Sequence, residues 1–273
     1  MASTIPRTSL ASRLAALNRS AGIQWRVIHA LLMREILTRY GRHNIGFLWL
    51  FVEPMLFTTG VTTIWSLTKA VHGSNLPIVA FALTGYSAVL LWRNMPSRCI
   101  GAIEPNLSLM FHRNVRVIDI FLARLILEAG GATISFVTLS IFYIYIGWLE
   151  PPQNMLTIVE GWLLIAWFGS SLAIFLGALA EKTELVDKIW HPMSYLAFPL
   201  SGAGFMVDAL PAAAQKYILF VPMVNGVELV REGYFGTQVH ARYDLPYMVG
   251  CCVFFTILAL AQVAVANREI TPE

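Results

Sequence analysis

Residues 33–57 read MREILTRYGRHNIGFLWLFVEPMLF, and the character of this stretch changes at Asn44. Before Asn44 the stretch is rich in arginine, and after it an apolar run is broken only by Glu53 and Pro54. A basic amphipathic segment directly ahead of an apolar one is typical of a chain that enters a membrane from its surface. The carboxylate and the helix breaker indicate a bent first span that faces a polar interior.

The composition of the whole chain also indicates an integral membrane protein. Of its 273 residues, 57% are hydrophobic and 13% are charged, and the mean hydropathy is +0.64. Soluble domains average about 45–50% apolar and about 25% charged residues. The three cysteines, Cys99, Cys251 and Cys252, lack the spacing of a disulfide framework or a metal site, so we expect packing residues. The N-terminus lacks the pattern of a cleaved secretory signal.

Six segments fit a membrane-spanning helix, which needs roughly 20 apolar residues. The predicted spans are residues 45–67, 76–95, 119–148, 155–180, 189–206 and 245–266. The fifth is the weakest because it is short and carries two prolines and two glycines, and we predict a bent or incomplete span there. The sequence therefore predicts an all-α membrane protein with a transmembrane domain over residues 45–266.

The basic residues are unevenly distributed around these spans. Fourteen lysines and arginines fall on one side, and four fall on the other. By the positive-inside rule, both chain termini are predicted to be cytoplasmic. Residues 1–21 would form a cytoplasmic arm, and residues 267–273 would form a cytoplasmic tail.

An amphipathic helix is predicted over residues 22–44, at the cytoplasmic surface of the membrane. Its apolar face consists of Leu32, Met33, Ile36, Leu37 and Tyr40. Its polar face consists of Arg34, Glu35, Thr38, Arg39 and Arg42. Glu35 and Arg39 have the i, i+4 spacing of an ion pair. We expect the apolar face to lie on the membrane and the arginines to meet lipid phosphate or a protein partner, with simple anchoring as the alternative.

Residues 96–113 form a connection that is too polar to cross a membrane and too apolar for a solvated loop. Pro96 is suited to begin a short helix, and Asn106 is suited to cap a second one. An exposed apolar knob is predicted at Leu107, Leu109, Met110 and Phe111. We expect this knob to dock into a cytoplasmic partner, and packing on the protein's own helices is the alternative.

Two further short helices are predicted within residues 208–235, in the long connection before the last span. Asn225 and Glu228 have the spacing of a capping box at the start of the second helix. We expect a re-entrant or interfacial pair on the outer side, with an ordinary loop as the alternative.

A stripe of small residues follows one face of the predicted fourth span. It consists of Gly169, Ala173 and Gly177, which have four-residue spacing. Such stripes let another membrane helix approach closely.

The sequence lacks the motifs of nucleotide binding and of common catalytic centres. No GxxxxGK[ST] phosphate loop, HExxH, CxxC or nucleophile elbow is present. We therefore expect no catalytic residue, metal or cofactor on this chain. Ionisable residues within the spans are the remaining candidates for function, namely Glu53 in the first span and Asp119, Arg124 and Glu128 near the inner start of the third. Arg124 and Glu128 are one helical turn apart and could neutralise each other.

The stretch at residues 33–55 resembles the entry motif of polysaccharide-exporting ABC-2 permeases. The motif residues are Arg34, Arg39, Tyr40, Gly46, Trp49 and Pro54. The stretch resembles the capsular polysaccharide branch of these permeases, the KpsM type, more closely than the O-antigen exporters. The order of elements is similar over the whole chain, from the amphipathic helix to the short helices before the last span.

This resemblance implies a homodimeric permease that works with two copies of a separate ATPase, which binds ATP and Mg. It further implies export of a lipid-linked capsular polysaccharide to the periplasm, together with a periplasmic co-polymerase and an outer-membrane exporter. No nucleic-acid partner is expected. Contacts with the ATPase are then predicted for Arg34, Glu35, Arg39, Arg42, Glu104, Asn106, Phe111 and Arg113.

The translocation path is predicted from the chemistry of an acidic polysaccharide. Sugar rings stack on aromatic faces, and arginine forks bind carboxylate or phosphate. The predicted path residues are Trp49, Phe51, Glu53, Tyr86, Trp92, Tyr195 and Phe198. Arg93, Arg98 and Arg124 are predicted contacts for acidic substrate at the inner mouth. Three alternatives remain: an ABC-2 permease for another cargo such as O-antigen, teichoic acid or a small amphiphile, a membrane-embedded glycan-modifying enzyme, and a purely structural membrane scaffold.

Overall fold

The computed structural model describes residues 10–40, 44–68, 76–112 and 115–270. Within these ranges the regular structure is entirely helical. The α-helices are α1 (Leu10–Tyr40), α2 (Asn44–Thr68), α3 (Ile78–Cys99), α4 (Leu107–His112), α5 (Val117–Tyr145), α6 (Met155–Ala180), α7 (Leu185–Leu200), α8 (Ala212–Ile218), α9 (Pro222–Phe235) and α10 (Leu245–Ile270). Short 3-10 helices cover Glu104–Asn106, Val207–Ala209 and Gly236–Gln238. The predicted coupling residues Arg42 and Arg113 lie outside the described residues.

Five of the described helices are long and apolar enough to cross a membrane. These segments are Leu48–Thr68, Ile78–Cys99, Val117–Tyr145, Met155–Ala180 and Leu245–Arg268. Each corresponds to a predicted span, and the bounds of α6 coincide with those expected from the sequence. Pro96, expected to begin a new helix, instead lies inside α3, which continues to Cys99.

The weakest of the six predicted spans corresponds to α7, which has only 16 residues. A helix of that length rises about 24 Å, less than the hydrocarbon core of about 30 Å. It contains Pro192 and Pro199 and ends at Leu200, and Gly202 then turns the chain with a φ of 82°. Within the described residues, five helices are therefore long enough to span the membrane, and the predicted fifth span corresponds to a helix that is too short to do so.

The two short helices predicted within residues 208–235 differ sharply in their environment. Helix α8 has no buried residue, whereas all but one of the residues from Met223 to Phe235 in α9 are buried. Helix α9 runs antiparallel to α6, because Gly226 packs on Ile165 and Gly233 packs on Ile158. One predicted loop helix is therefore part of the core of the bundle.

Arg231 on α9 is fully buried and forms hydrogen bonds with the turn after α7. Its guanidinium donates hydrogen bonds to the carbonyl oxygens of Gly202 at 2.7 Å, Ala203 at 2.6 Å and Phe205 at 2.5 Å. The same group lies 3.8 Å from the ring centroid of Phe81 on α3. The sequence placed Arg231 in the long connection before the last span, and the structure buries it in the core.

Glu228, one turn before Arg231, is also fully buried. Its carboxylate accepts hydrogen bonds from the backbone N–H groups of Val207 at 3.0 Å and Arg242 at 3.1 Å. The predicted capping box of Asn225 and Glu228 is wrong, because α9 begins earlier, at Pro222. From its place in α9, Glu228 instead fixes both the chain before α8 and the chain after α9.

The small-residue stripe on α6 marks where α3 packs, as the sequence predicted for a close neighbour. A Cβ added at Gly169 would lie 2.9 Å from Cα of Trp92, and one added at Gly177 would lie 2.8 Å from Cβ of Cys99. Ala173, between them, is fully buried. The two helices can approach this closely only because these positions carry little or no side chain.

Candidate translocation cavity and interface helix

Helix α1 begins earlier than the predicted amphipathic helix and packs one face against α5. The amide of Gln24 donates a hydrogen bond to the carboxylate of Asp119 near the start of α5. Ile28 and Leu31 on the same face are buried. This face continues to Glu35 and Arg39, so part of the predicted polar face contacts the protein's own α5.

Five charged residues join α1, α3 and α5, and we call them the ion cluster. Its members are Glu35, Arg39, Arg98, Arg124 and Glu128. Arg39 pairs with Glu35 at 3.1 Å, as the i, i+4 spacing predicted, and it also contacts Glu128. Nε of Arg98 lies 3.1 Å from Oε1 of Glu128, and Nε of Arg124 lies 3.1 Å from Oε1 of Glu35.

The pairing within the ion cluster differs from the one expected from the sequence. Arg124 and Glu128 were expected to neutralise each other along α5. Instead, each pairs with a residue of another helix, and Arg124 also donates a hydrogen bond to the carbonyl oxygen of Arg98 at 2.7 Å. The cluster therefore cross-links three helices, whereas an i, i+4 pair would stabilise only one.

The connection between α3 and α5 is hydrogen-bonded to α1 through Arg34 and Asn106. Arg34 donates hydrogen bonds to the side chain of Asn106 and to the carbonyl oxygen of Pro105, the latter at 3.4 Å. Asn106 is buried and donates to the carbonyl oxygen of Ala102 at 2.8 Å. Asn106 was expected to cap a short helix, and its amide instead bridges α1 and this connection.

The apolar knob predicted in the same connection is largely packed on the protein itself. Met110 is buried, and Leu107 and Leu109 are half-buried against the core. Phe111 is the exception, with 69% of its surface exposed. The alternative of packing on the protein's own helices is therefore correct for three of the four residues.

Glu104 is exposed in this connection, and its carboxylate lies near that of Glu181 after α6. Partial desolvation, followed by repulsion from Glu104, raises the pKa of Glu181 above its usual value. A carboxyl with a raised folded-state pKa stabilises the fold at low pH, and that stability is lost as pH rises through this pKa.

Glu181→Gln is therefore expected to raise the melting temperature slightly at neutral pH and to flatten its fall above about pH 4.3, the usual pKa of glutamate. Thermal unfolding in detergent at several pH values measures this. Glu184→Gln is the control, since Glu184 is exposed and pairs with Lys188 at 3.1 Å. An equal response of the two variants would contradict the assigned repulsion.

A central cavity of about 310 Å³ opens between α2, α3, α5 and α7. It is lined by Leu50, Glu53, Pro54, Phe57, Tyr86, Leu90, Arg93, Asn94, Arg98, Glu128 and Tyr195. Three predicted path residues and two predicted arginines are among them. The guanidinium of Arg93 lies 4.5 Å from the ring centroid of Tyr195, and Phe198 meets Tyr86 edge-on at 5.9 Å. The cavity thus combines aromatic faces with guanidinium groups.

The remaining predicted path residues lie elsewhere. Trp49 lines an apolar groove of about 430 Å³ on the outer face of α2, where Glu53 is also found. Phe51 is half-buried on α2. Trp92 is fully buried against Gly169 of α6 and cannot contact a polymer in this conformation. We correct the prediction by leaving Trp92 out of the path.

A second cavity, the arginine pocket, has a volume of about 370 Å³. It is lined by Arg34, Glu35, Thr38, Arg39, Ser97, Arg98, Pro105, Asn106 and Arg124. Arg124 faces this pocket, and Arg98 lines both the pocket and the central cavity. The three arginines predicted at the inner mouth are therefore divided between two cavities. Within the described residues, no cluster of His, Cys, Asp or Glu side chains could hold a metal ion.

Comparison with known proteins identifies the family of this chain. Residues 26–235 match the family described as ABC-2 type transporter. The chain is 47% identical to the capsule polysaccharide export inner-membrane protein CtrC of Neisseria meningitidis serogroup B, over 93% of this chain and 96% of that protein. It is 41% identical to the capsule polysaccharide export inner-membrane protein BexB of Haemophilus influenzae, over 93% and 96% respectively.

A more distant relative is the polysialic acid transport protein KpsM of Escherichia coli. It is 26% identical over 87% of this chain and 91% of its own length. The family match covers more than half of the chain and includes α2, α3, α5, α6 and α9. The helical bundle described above therefore belongs to a member of the ABC-2 type transporter family.

Proposed function

We propose that this chain is the permease subunit of an ATP-driven transporter that exports a lipid-linked capsular polysaccharide across the inner membrane to the periplasm. The observation that carries this proposal is the 47% identity, over more than nine-tenths of both chains, to a capsule polysaccharide export inner-membrane protein. A permease needs a polar route through an apolar bundle, and the charged and aromatic lining of the central cavity beside α2, α3 and α7 supports a place for part of that route there.

The lining of the central cavity suits a sugar polymer with acidic groups. The exposed ring of Tyr195 offers a face on which sugar C–H groups can stack, and the part of Tyr86 that lines the cavity adds a second aromatic contact. Each such contact is weak enough to release the chain. Arg93 and Arg98 supply guanidinium forks for carboxylate or phosphate groups. Several weak contacts in place of one tight site would allow a long polymer to slide.

The energy for transport would come from a separate ATPase, because the sequence holds no phosphate loop. We propose two permease copies and two ATPase subunits, with both chain termini in the cytoplasm. Helix α1 and the connection between α3 and α5 would meet the ATPase. Their attachment through Arg34 and Asn106 supports joint movement, and the exposed ring of Phe111 supports a protein contact nearby.

Loss of the gene and its complementation test the proposed function. Cells that lack this chain are expected to lose surface capsule and to accumulate polysaccharide in the cytoplasm, and the wild-type gene should restore export. The identity of the accumulated glycan separates capsule from O-antigen or teichoic acid. Normal surface capsule in the deletion strain would contradict the proposal.

The double variant Tyr86→Ala, Tyr195→Ala is expected to slow export about tenfold, since each aromatic contact contributes roughly 0.5–1.5 kcal/mol. The matched control is Tyr145→Ala at the far end of α5, where the side chain is almost fully exposed outside the cavity. Surface capsule and the amount of membrane-inserted permease are both measured. Full export by the double variant would remove the cavity from the proposed path.

A further inference from the structure

We propose that Glu128 is a positioning residue that holds Arg98 at the wall of the central cavity, and that an acidic group of the cargo competes with Glu128 for Arg98. Through this competition, occupancy of the cavity would change how firmly α1 is held. The inference rests on the proposed function and deepens it, because it names the residue pair that would sense an acidic cargo.

The first observation is that one carboxylate oxygen serves two helices. Oε1 of Glu128 on α5 pairs with Arg39 of α1 and also lies 3.1 Å from Nε of Arg98 on α3. Two guanidinium groups that share one oxygen are in competition, because each would bind a carboxylate more fully as a bidentate pair. Withdrawal of Arg98 therefore changes the bond that holds Arg39.

The second observation is the charge balance of the ion cluster. Three arginines face two carboxylates, which leaves one excess positive charge. The side chain of Arg98 is 40% exposed, whereas those of its four partners are 10–16% exposed. An anion that enters the cavity can therefore reach Arg98 and neutralise the cluster. The other members are shielded by their partners.

The third observation is the route from this pair to the protein surface. Arg39 lies five residues after Arg34 on α1, and Arg34 is bonded to Asn106 in the connection that carries the exposed Phe111. If the ion pair between Glu128 and Arg39 weakens, α1 can move, and this movement would be transmitted to the surface assigned above to the ATPase. No displacement of the spanning helices is needed for this step.

Arg93 provides a matched comparison within the same cavity. Like Arg98, it lines the central cavity, and it is also able to bind an acidic group. Its guanidinium lies over the ring of Tyr195, and it is not a member of the ion cluster. Loss of Arg93 should weaken cargo binding only, whereas loss of Arg98 should also interrupt the signal to α1.

The experiment measures ATP hydrolysis by the permease–ATPase complex in lipid nanodiscs. The probes are the acidic polysaccharide isolated from the deletion strain and the same material after chemical neutralisation of its acidic groups. The wild-type complex should be stimulated by the acidic form and much less by the neutral form. Arg93→Gln should raise the half-maximal concentration about tenfold and keep the maximal stimulation, as expected for the loss of one charge-assisted contact.

Arg98→Gln should lose the stimulation at every concentration, and Glu128→Gln should hydrolyse ATP at the same rate with the acidic and the neutral form. Identical behaviour of Arg98→Gln and Arg93→Gln would overturn the inference, as would equal stimulation of the wild type by both forms. Absence of any accumulated glycan in the deletion strain would instead overturn the proposed function. The two failures are therefore distinguishable.

A second measurement needs no variant and so does not depend on variant folding. Hydrogen exchange of residues 24–39 is followed in the wild-type complex with the acidic and the neutral polysaccharide. Faster exchange with the acidic form is expected, because α1 then loses part of its hold on α5. Unchanged exchange together with normal stimulation would show that the signal does not pass through α1, and the proposal would fail.

Discussion

Arg231→Met is expected to destabilise the protein by about 3–5 kcal/mol, which is enough to remove most folded protein from the membrane. The substitution leaves the three carbonyl oxygens bound by Arg231 without a donor in a buried site. Each unpaired group costs roughly 1–3 kcal/mol, and removal of one buried charge offsets only part of this cost. Thermal unfolding in detergent and the yield of monodisperse protein are the measurements.

The control for this experiment is the same substitution at Arg242, eleven residues further along the chain. The Arg242 side chain is largely exposed and pairs with Asp208 at 2.7 Å, so Arg242→Met should cost no more than about 1 kcal/mol. Arg231→Lys should fall between the two, since an ammonium group lacks the fork that reaches several carbonyls. Similar stability of the variants at positions 231 and 242 would contradict the structural role of Arg231.

Gly169→Leu is expected to separate α3 from α6 and to abolish assembly of a stable bundle. A Cβ at this position already meets the backbone of Trp92, and the rest of a leucine side chain has no free space. Overpacking in a well-packed core costs typically 1–3 kcal/mol, and the cost is higher when backbone must move. Expression of folded protein and its melting temperature report the effect.

Gly130→Leu on α5 is the matched control, because an added Cβ there meets nothing within 4 Å. Leucine also has a higher helix propensity than glycine, so this variant should be neutral or slightly stabilised. Loss of folded protein in both variants would indicate a general intolerance of the spanning helices. In that case the close approach of α3 and α6 would not explain the first result.

The spanning helices and the close packing at Gly169 and Gly177 follow from local patterns in the sequence. Length and hydropathy define a membrane helix without reference to its neighbours. The short α7 was also foreseeable, because prolines and glycines interrupt its apolar run. The i, i+4 pair of Glu35 and Arg39 is another local feature, and the structure confirms it.

Contacts between distant parts of the chain could not be predicted from such local patterns. Arg39 and Glu128 are 89 residues apart, and nothing in the sequence selects this pair over the nearer Arg124 and Glu128. Burial of α9 was missed although Glu228 and Arg231 lie one turn apart in a mostly apolar helix, which is a signal of a buried polar anchor. The capping-box spacing offered a simpler local explanation, and tertiary packing overrode it.

For the candidate site, the sequence predicted the kinds of residue that line the cavity better than it predicted which of them face it. Tyr86, Leu90 and Arg93 lie on the same face of α3 and line the central cavity. Trp92 is adjacent in sequence but points about 100° away, towards Gly169 on α6. The rotation of α3 about its own axis decides between these roles, and that rotation depends on packing with other helices.

The carboxylate of Glu228 on the buried α9 accepts hydrogen bonds from the backbone N–H groups of Val207 and Arg242, so it fixes the chain before α8 and the chain after α9. Between Val207 and the start of α9, helix α8 has no buried residue, so the bundle places no packing constraint on its side chains. An epitope or fluorescent tag grafted into α8 should consequently leave the rest of the molecule intact, and such a graft gives a handle for labelling the protein in living cells.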